Sequence, residues 1–191
     1  MIEAQQWRRQ RASRAGAAGE EQAEADLVQF VTFLAAGAEC ALPCARVLEV
    51  VEVGVVLPHP AARGAFRGTI ALSTGITPVL DLSARLGAGE TPIARPACAI
   101  VLERPFGREL PLALLVEAFR DLVAVPRAEL MATPPLGGTP PAFGQMARLH
   151  GRLLPVLDLG RLLTAGDETV AAAITHDGLA PEVPGARPQS P

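Results

Sequence analysis

The 191-residue chain is 49% apolar and 19% charged, with 17 basic against 20 acidic residues and a formal net charge of −3. This balance excludes a wholly disordered chain and lacks the basic excess that is typical of nucleic-acid-binding proteins. No apolar run reaches the ~18 residues that a membrane-spanning helix needs, so we expect no direct membrane insertion. Glycine and proline, 18 of each, favour short strands and turns over long helices.

The two ends of the chain differ in composition from its middle. Residues 1–26 place four arginines before four acids, which indicates a solvated tail or a helix with a thin apolar face. Residues 165–191 are rich in proline and alanine, and we expect a frayed tail there with one helical turn near 168–174. The folded domain is therefore expected within 27–164.

The first part of that domain predicts a hairpin and a third strand. Residues 27–35, LVQFVTFLA, are rich in strand-forming side chains, and Gly37 in the following turn lets 39–42 return as a partner strand. Pro43 suits the start of a helical turn through Cys44–Arg46. The valine-rich run 46–53 then predicts a further strand.

Later segments continue the pattern of short strands. Residues 97–103 and 108–116 flank the loop RPFG and predict a second hairpin. Residues 119–126 predict another strand, followed by a helical turn near 127–130. The proline- and glycine-rich stretch 133–143 predicts a loop.

An internal repeat is the most informative feature of the sequence. FRGTIALSTGITPVLDLSARLG (66–87) resembles FGQMARLHGRLLPVLDLGRLL (143–163), and Phe143 follows Phe66 by 77 positions. Each copy predicts strand, glycine-bearing turn, strand and short helix, with Asp81 and Asp158 at the N-cap positions of the helices. The repeat predicts two similar subdomains, each a small bent sheet of about five strands whose interior is filled by side chains.

Residues with catalytic or metal-binding spacing are missing from the sequence. Its three histidines lie far apart, and we interpret Asp81 and Asp158 as helix caps rather than as a catalytic pair. We therefore predict no enzyme activity, cofactor or metal. One alternative is a redox protein that uses Cys40 and Cys44, which requires a thiolate of depressed pKa. The preferred interpretation is that Cys40, Cys44 and Cys98 are reduced, inert thiols of a cytoplasmic protein.

Four segments together resemble the CheW-like domain family, in that family's order and spacing. They are QFVTFLAAGAECALPCARVLEVVEV (29–53), the first repeat copy, 97–130 and GRLLPVLDLGRLL (151–163). The resemblance implies an all-β fold of two intertwined five-stranded SH3-like barrels with short helices, which agrees with the repeat.

The resemblance also implies a function and partners. Members of the family are non-catalytic cytoplasmic adaptors that couple the cytoplasmic tips of methyl-accepting chemoreceptors to the regulatory domain of the histidine kinase CheA. The receptor's helical hairpin would lie in the groove between the barrels. Carried over by position, the partner contacts fall on two stretches, with these residues: Val47, Glu49, Val51, Gly68, Ala71, Leu72, Ser73 and Thr74.

One of these stretches departs from the family pattern. Where the family usually has an Asn-Leu-Arg-Gly-like sequence, this chain has Ala71, Leu72, Ser73 and Thr74. Serine cannot replace the planar five-donor guanidinium of arginine. The departure leaves open a divergent modulator of a pilus-type or other CheA-like pathway that binds the kinase and not the receptor.

Overall fold

The structure, a computed structural model, describes residues 26–93, 97–107, 109–133 and 142–177. Eleven strands lie within these ranges: β1 (Leu27–Ala35), β2 (Ala38–Pro43), β3 (Val47–Glu52), β4 (Phe66–Leu72), β5 (Gly75–Asp81), β6 (Cys98–Leu102), β7 (Ala113–Val116), β8 (Ala118–Pro126), β9 (Leu130–Ala132), β10 (Phe143–Leu149) and β11 (Arg152–Leu157). The helices of the same ranges are α1 (Leu82–Arg85), α2 (Leu159–Leu162) and α3 (Ala165–Asp177), with 3₁₀ turns at Cys44–Arg46 and Arg127–Glu129.

The strands form two sheets with the same connection pattern. The first, barrel A, has the order β8-β1-β2-β11-β10-β9, and the second, barrel B, has the order β3-β6-β7-β5-β4. One pair in each sheet is parallel, β2 with β11 in barrel A and β5 with β7 in barrel B. The other neighbouring pairs are antiparallel.

The chain passes between the barrels in a way that intertwines them. It gives β1 and β2 to barrel A and then β3, β4 and β5 to barrel B. The second half begins in barrel B with β6 and β7 and returns to barrel A for β8 to β11. Each half of the sequence therefore contributes to both barrels, and the predicted intertwined all-β fold is confirmed.

Barrel A differs from the expected five strands. Its sixth strand is β9, where Ala132, Met131 and Leu130 pair with β10. The corresponding place in barrel B holds only a single bridge between Leu57 and Thr69. Leu130, which the sequence predicts to lie in a helical turn, is already extended in the structure and begins this sixth strand.

The internal repeat is confirmed in detail. The bounds of β4 and β10 are 77 positions apart. In each hairpin the pairing register shifts directly after the phenylalanine that begins the first strand, Phe66 in β4 and Phe143 in β10. Asp81 caps α1 by accepting a hydrogen bond from the Ala84 N–H at 3.1 Å, and Asp158 caps α2 through the Gly160 N–H at 2.9 Å. Both predicted N-caps are therefore present.

Apolar side chains form three clusters. One fills barrel B, with Ile70, Val79 and Leu115 among its members, and a smaller one around Phe30 and Val125 fills barrel A. The largest lies between the barrels and takes side chains from both sheets. Strand β7 is buried on both faces, since Leu115 points into barrel B and Leu114 into the inter-barrel core. This explains why its sequence is continuously apolar.

The helix α3 corrects the expectation of a frayed tail from residue 165. It runs from Ala165 to Asp177, and Val170, Ala171 and Ile174 pack into the inter-barrel core. Thr164 and Asp167 cap its start through reciprocal hydrogen bonds. The remaining residues assigned to tails, 1–25 and 178–191, and most of the predicted loop 133–143 lie outside the described residues.

Replacing Ile174 by alanine should lower the free energy of unfolding by about 2–5 kcal/mol, because the side chain is fully buried in the inter-barrel core. Chemical denaturation followed by circular dichroism measures the change. Thr169→Ala on the exposed side of the same helix is the control and should change it by less than about 0.5 kcal/mol. Equal small effects for both variants would contradict the docking of α3.

Candidate protein-docking face

The hairpin of β4 and β5 carries an exposed apolar surface on barrel B. Ala71 pairs with Ile76 across the hairpin, and Leu57 bridges to Thr69 on the outer edge of β4. Because paired residues share a face of the sheet, the side chains of Leu57, Ala71 and Ile76 point to the same side. Val55, two residues before Leu57, is 67% exposed, Leu57 is 55% exposed and Ile76 is 40% exposed. We call Val55, Leu57, Ala71 and Ile76 the outer apolar face.

The structure places the predicted partner residues of the second stretch at or beneath this face. Ala71, Ser73 and Thr74 are exposed around the hairpin turn. Leu72 is half-buried against the core of barrel B. Gly68 is buried under the backbone of Leu57 and Pro58, so it offers no side chain or surface to a partner.

The first stretch lies mostly beneath the surface. Val47 is completely buried in the inter-barrel core, so its side chain is not exposed to a partner in the folded chain. Glu49 is 4% exposed and is likewise not presented on the surface. Val51 is half-buried against the core of barrel B. The sequence placed these residues correctly on a strand, but it did not distinguish the buried face of β3 from its outer face.

Three residues of the outer apolar face were missed by the sequence analysis: Val55, Leu57 and Ile76. Val55 and Leu57 belong to an uninterrupted apolar run, which lacks the alternation that marks one face as exposed. The signal that was available is Pro58, which ends this run and disfavours a central strand.

The carboxylate of Asp81, at the end of β5, joins the hairpin to α1 and to the segment around Thr91. Its carboxylate is fully buried and accepts hydrogen bonds from the N–H and hydroxyl of Thr91, both at 2.7 Å, as well as from Ala84. The Arg67 guanidinium lies 2.9 Å from Asp81 and 3.2 Å from Glu90. Asp158 instead pairs with Arg161 on its own helix at 3.3 Å. Each aspartate is occupied in holding its own helix, which supports the capping interpretation.

Comparison with known proteins identifies the family. The model of the CheW-like domain matches residues 29–167. The chain belongs to the CheW-like domain family. A crystal structure of the scaffolding protein TtCheW from Thermoanaerobacter tengcongensis has the same fold, with a TM-score of 0.63 and 22% sequence identity over 73% of this chain and 90% of that one. No curated protein matches the chain in sequence.

In the described part of this CheW-like chain, charged side chains line open clefts but are not grouped as a metal site requires. No group of three or more His, Cys, Asp and Glu side chains is arranged to hold a metal ion there. A cleft of about 640 Å³ at one end of barrel A has only Asp121 and His150 as ionisable lining residues. Among the described helices, none is both long and apolar enough to cross a membrane.

The cysteines of the CheW-like domain argue against the redox alternative. Cys40 and Cys44 are buried and are not joined in a disulfide bond. Burial, with smaller contributions from Glu117 and Glu39, raises the pKa of Cys40 to about 12. Burial also raises the pKa of Cys98. A reactive thiol needs a depressed pKa, so burial and the raised pKa of Cys40 both disfavour the redox interpretation.

The raised pKa of Cys40 should make the unfolding free energy fall at alkaline pH. The unfolded thiol, with a pKa of about 8.5, loses its proton while the folded thiol keeps it. The stabilisation is therefore complete below about pH 8.5 and is lost as the pH rises toward 12, at roughly 1.4 kcal/mol per pH unit. Tyrosine is absent and every basic residue is arginine, so few other side chains titrate in this range.

Denaturation at a series of pH values between about 8.5 and 10.5 measures this slope. Cys40→Ala is expected to reduce this slope and to leave the part that Cys98 contributes, whatever its effect on stability at neutral pH. An unchanged slope in Cys40→Ala would contradict the assignment.

Proposed function

We propose that this CheW-like chain is a non-enzymatic cytoplasmic adaptor that couples a chemoreceptor to a CheA-type histidine kinase. The outer apolar face of barrel B docks the regulatory domain of the kinase. The observation that carries this proposal is the exposure of Leu57 and Ile76 on one side of the β4–β5 hairpin, with exposed Val55 two residues before Leu57, on a protein whose barrel interiors are filled. Clustered exposed apolar side chains of this kind are typical of protein interaction sites.

The physical basis of docking is desolvation of these side chains against a complementary apolar surface. A few central apolar residues usually carry most of the binding energy of an interface, while the polar rim excludes water. The exposed hairpin residues Ser73 and Thr74 suit such a rim. The weak contacts of single adaptors then add up when many are held in one array.

A second candidate function follows from Ser73. The exposed hairpin turn has no arginine at that position, and Arg67 on the same hairpin is already paired with Asp81 and Glu90. If the receptor tip requires that cation, this chain acts as a modulator that binds the kinase without the receptor. A helical-hairpin peptide of the receptor tip distinguishes the two: the adaptor binds it and the modulator does not.

Ile76→Asp should weaken binding of the kinase regulatory domain by about tenfold or more, because it buries a charge in the apolar contact. Isothermal titration with the regulatory domain of the CheA-type kinase from the same genome measures the effect. Leu153→Asp is the matched control. It lies 77 positions later, at the equivalent place on barrel A, and is 51% exposed.

The control variant should retain wild-type affinity for this domain. Equal losses in both variants, or wild-type affinity in a folded Ile76→Asp variant, would contradict docking at the outer apolar face.

A further inference from the structure

We infer that Gly68 is a positioning residue for the outer apolar face. It lets the segment that carries Val55 and Leu57, called the crossing segment below, run antiparallel beside β4 with the two backbones in contact, and it thereby sets the position of those side chains. The inference rests on the proposed docking function and assigns Gly68 a role other than partner contact.

The geometry at the crossing leaves no room for a side chain. A Cβ atom at Gly68 would lie 2.0 Å from the Leu57 carbonyl oxygen, 2.8 Å from its carbonyl carbon and 3.0 Å from the Pro58 Cα. All three are backbone atoms, so the clash cannot be relieved by turning a side chain. Gly68 also has a φ of +130°, a region that residues with a Cβ rarely adopt.

Two hydrogen bonds hold the crossing segment to β4. The Leu57 N–H donates to the Thr69 carbonyl oxygen and the Thr69 N–H donates to the Leu57 carbonyl oxygen, each at 2.8 Å. The backbone N–H and the backbone carbonyl of Thr69 therefore both point toward the crossing segment. Displacing that segment breaks this pair of bonds and moves the exposed side chains of Val55 and Leu57 together.

Barrel A provides an internal comparison. The position equivalent to Gly68 is Gln145, which is exposed. There β9 lies beside β10 in an ordinary ladder, with Gln145 opposite Ala132 and Met146 opposite Met131. This position of the strand therefore accepts a side chain in barrel A. Glycine is needed at position 68 because the backbone of Leu57 and Pro58 lies so close to it in barrel B.

Because barrel B has a single bridge where barrel A has the β9–β10 ladder, the two barrels present different surfaces. In barrel B the crossing segment projects Val55 and Leu57 into solvent. In barrel A the corresponding strand has half-buried Leu130 and Met131, and beside it Glu129 lies 3.7 Å from Arg148. The outer surface of barrel A is therefore mixed, with Leu153 exposed beside the Glu129–Arg148 ion pair, whereas the equivalent surface of barrel B is apolar.

Hydrogen–deuterium exchange of the full chain tests the positioning. Gly68→Ala should speed exchange of the Leu57 and Thr69 amides by tenfold or more, relative to the wild type. Gly75→Ala is the control, since Gly75 has a similar φ of +125° but nothing within 4 Å of an added Cβ. Protection of both amides in Gly68→Ala, or equal loss in both variants, would overturn the inference.

Binding of the kinase regulatory domain then tests whether positioning matters for docking. Gly68→Ala should weaken binding about tenfold in the wild-type background and less than twofold in a background with both Val55→Ser and Leu57→Ser, because these two substitutions already remove the contacts that Gly68 positions. Full additivity of the two losses would overturn the inference, as expected of a change that acts only through general stability. If the wild-type chain does not bind this domain, the proposed function fails and the exchange experiment still decides the positioning.

A second variant covers the case in which Gly68→Ala does not fold. Thr69→Pro removes the N–H that donates to Leu57 but keeps Gly68 and the Leu57 side chain, and it leaves the hydrogen bonds of the β4–β5 ladder in place because that N–H points away from β5. It should also speed exchange of the Leu57 amide and weaken binding. Wild-type affinity in folded Thr69→Pro would overturn the inference.

Discussion

The inter-barrel core is the constraint on which the rest of the structure depends. Because each half of the sequence contributes strands to both barrels, neither barrel is complete without both halves. Strands β6 and β7 are buried on one face inside barrel B and on the other against barrel A and α3. Separation of the barrels would expose the largest apolar cluster of the described chain, so the two barrels are expected to behave as one rigid body.

A rigid pair of filled barrels places the function on the outside. With both interiors occupied by side chains and the buried aspartate Asp81 engaged in capping, the features available to a partner are exposed strands, turns and seams. The duplication supplies two topologically equivalent hairpins, and local differences make them unlike. Gly68 in place of Gln145 allows a close crossing on one barrel, whereas the other carries a regular extra strand. A symmetric architecture thus presents an asymmetric surface, which suits an adaptor with more than one kind of neighbour.

Much of this architecture was predictable from local sequence, and the failures have physical causes. The repeat revealed both hairpins and both capping aspartates, because N-caps and turns are set by neighbouring residues. The docking of α3 is not evident from the sequence although Val170, Ala171 and Ile174 lie on one helical face, because the alanine- and proline-rich composition indicates a tail. The burial of Val47 and the exposure of Leu57 were not predictable from apolar runs without alternation. Which face of such a run is covered depends on distant segments.

The central claim is that the outer apolar face of barrel B is the docking surface for a CheA-type kinase. Amide chemical shifts of the isotopically labelled chain, titrated with the unlabelled kinase regulatory domain, test it most directly. We expect the largest shift changes at residues 55–57 and 69–76, and little change at the equivalent hairpin residues 146–153 of barrel A. Changes centred on barrel A or on the cleft beside His150, with none on the β4–β5 hairpin, would contradict it.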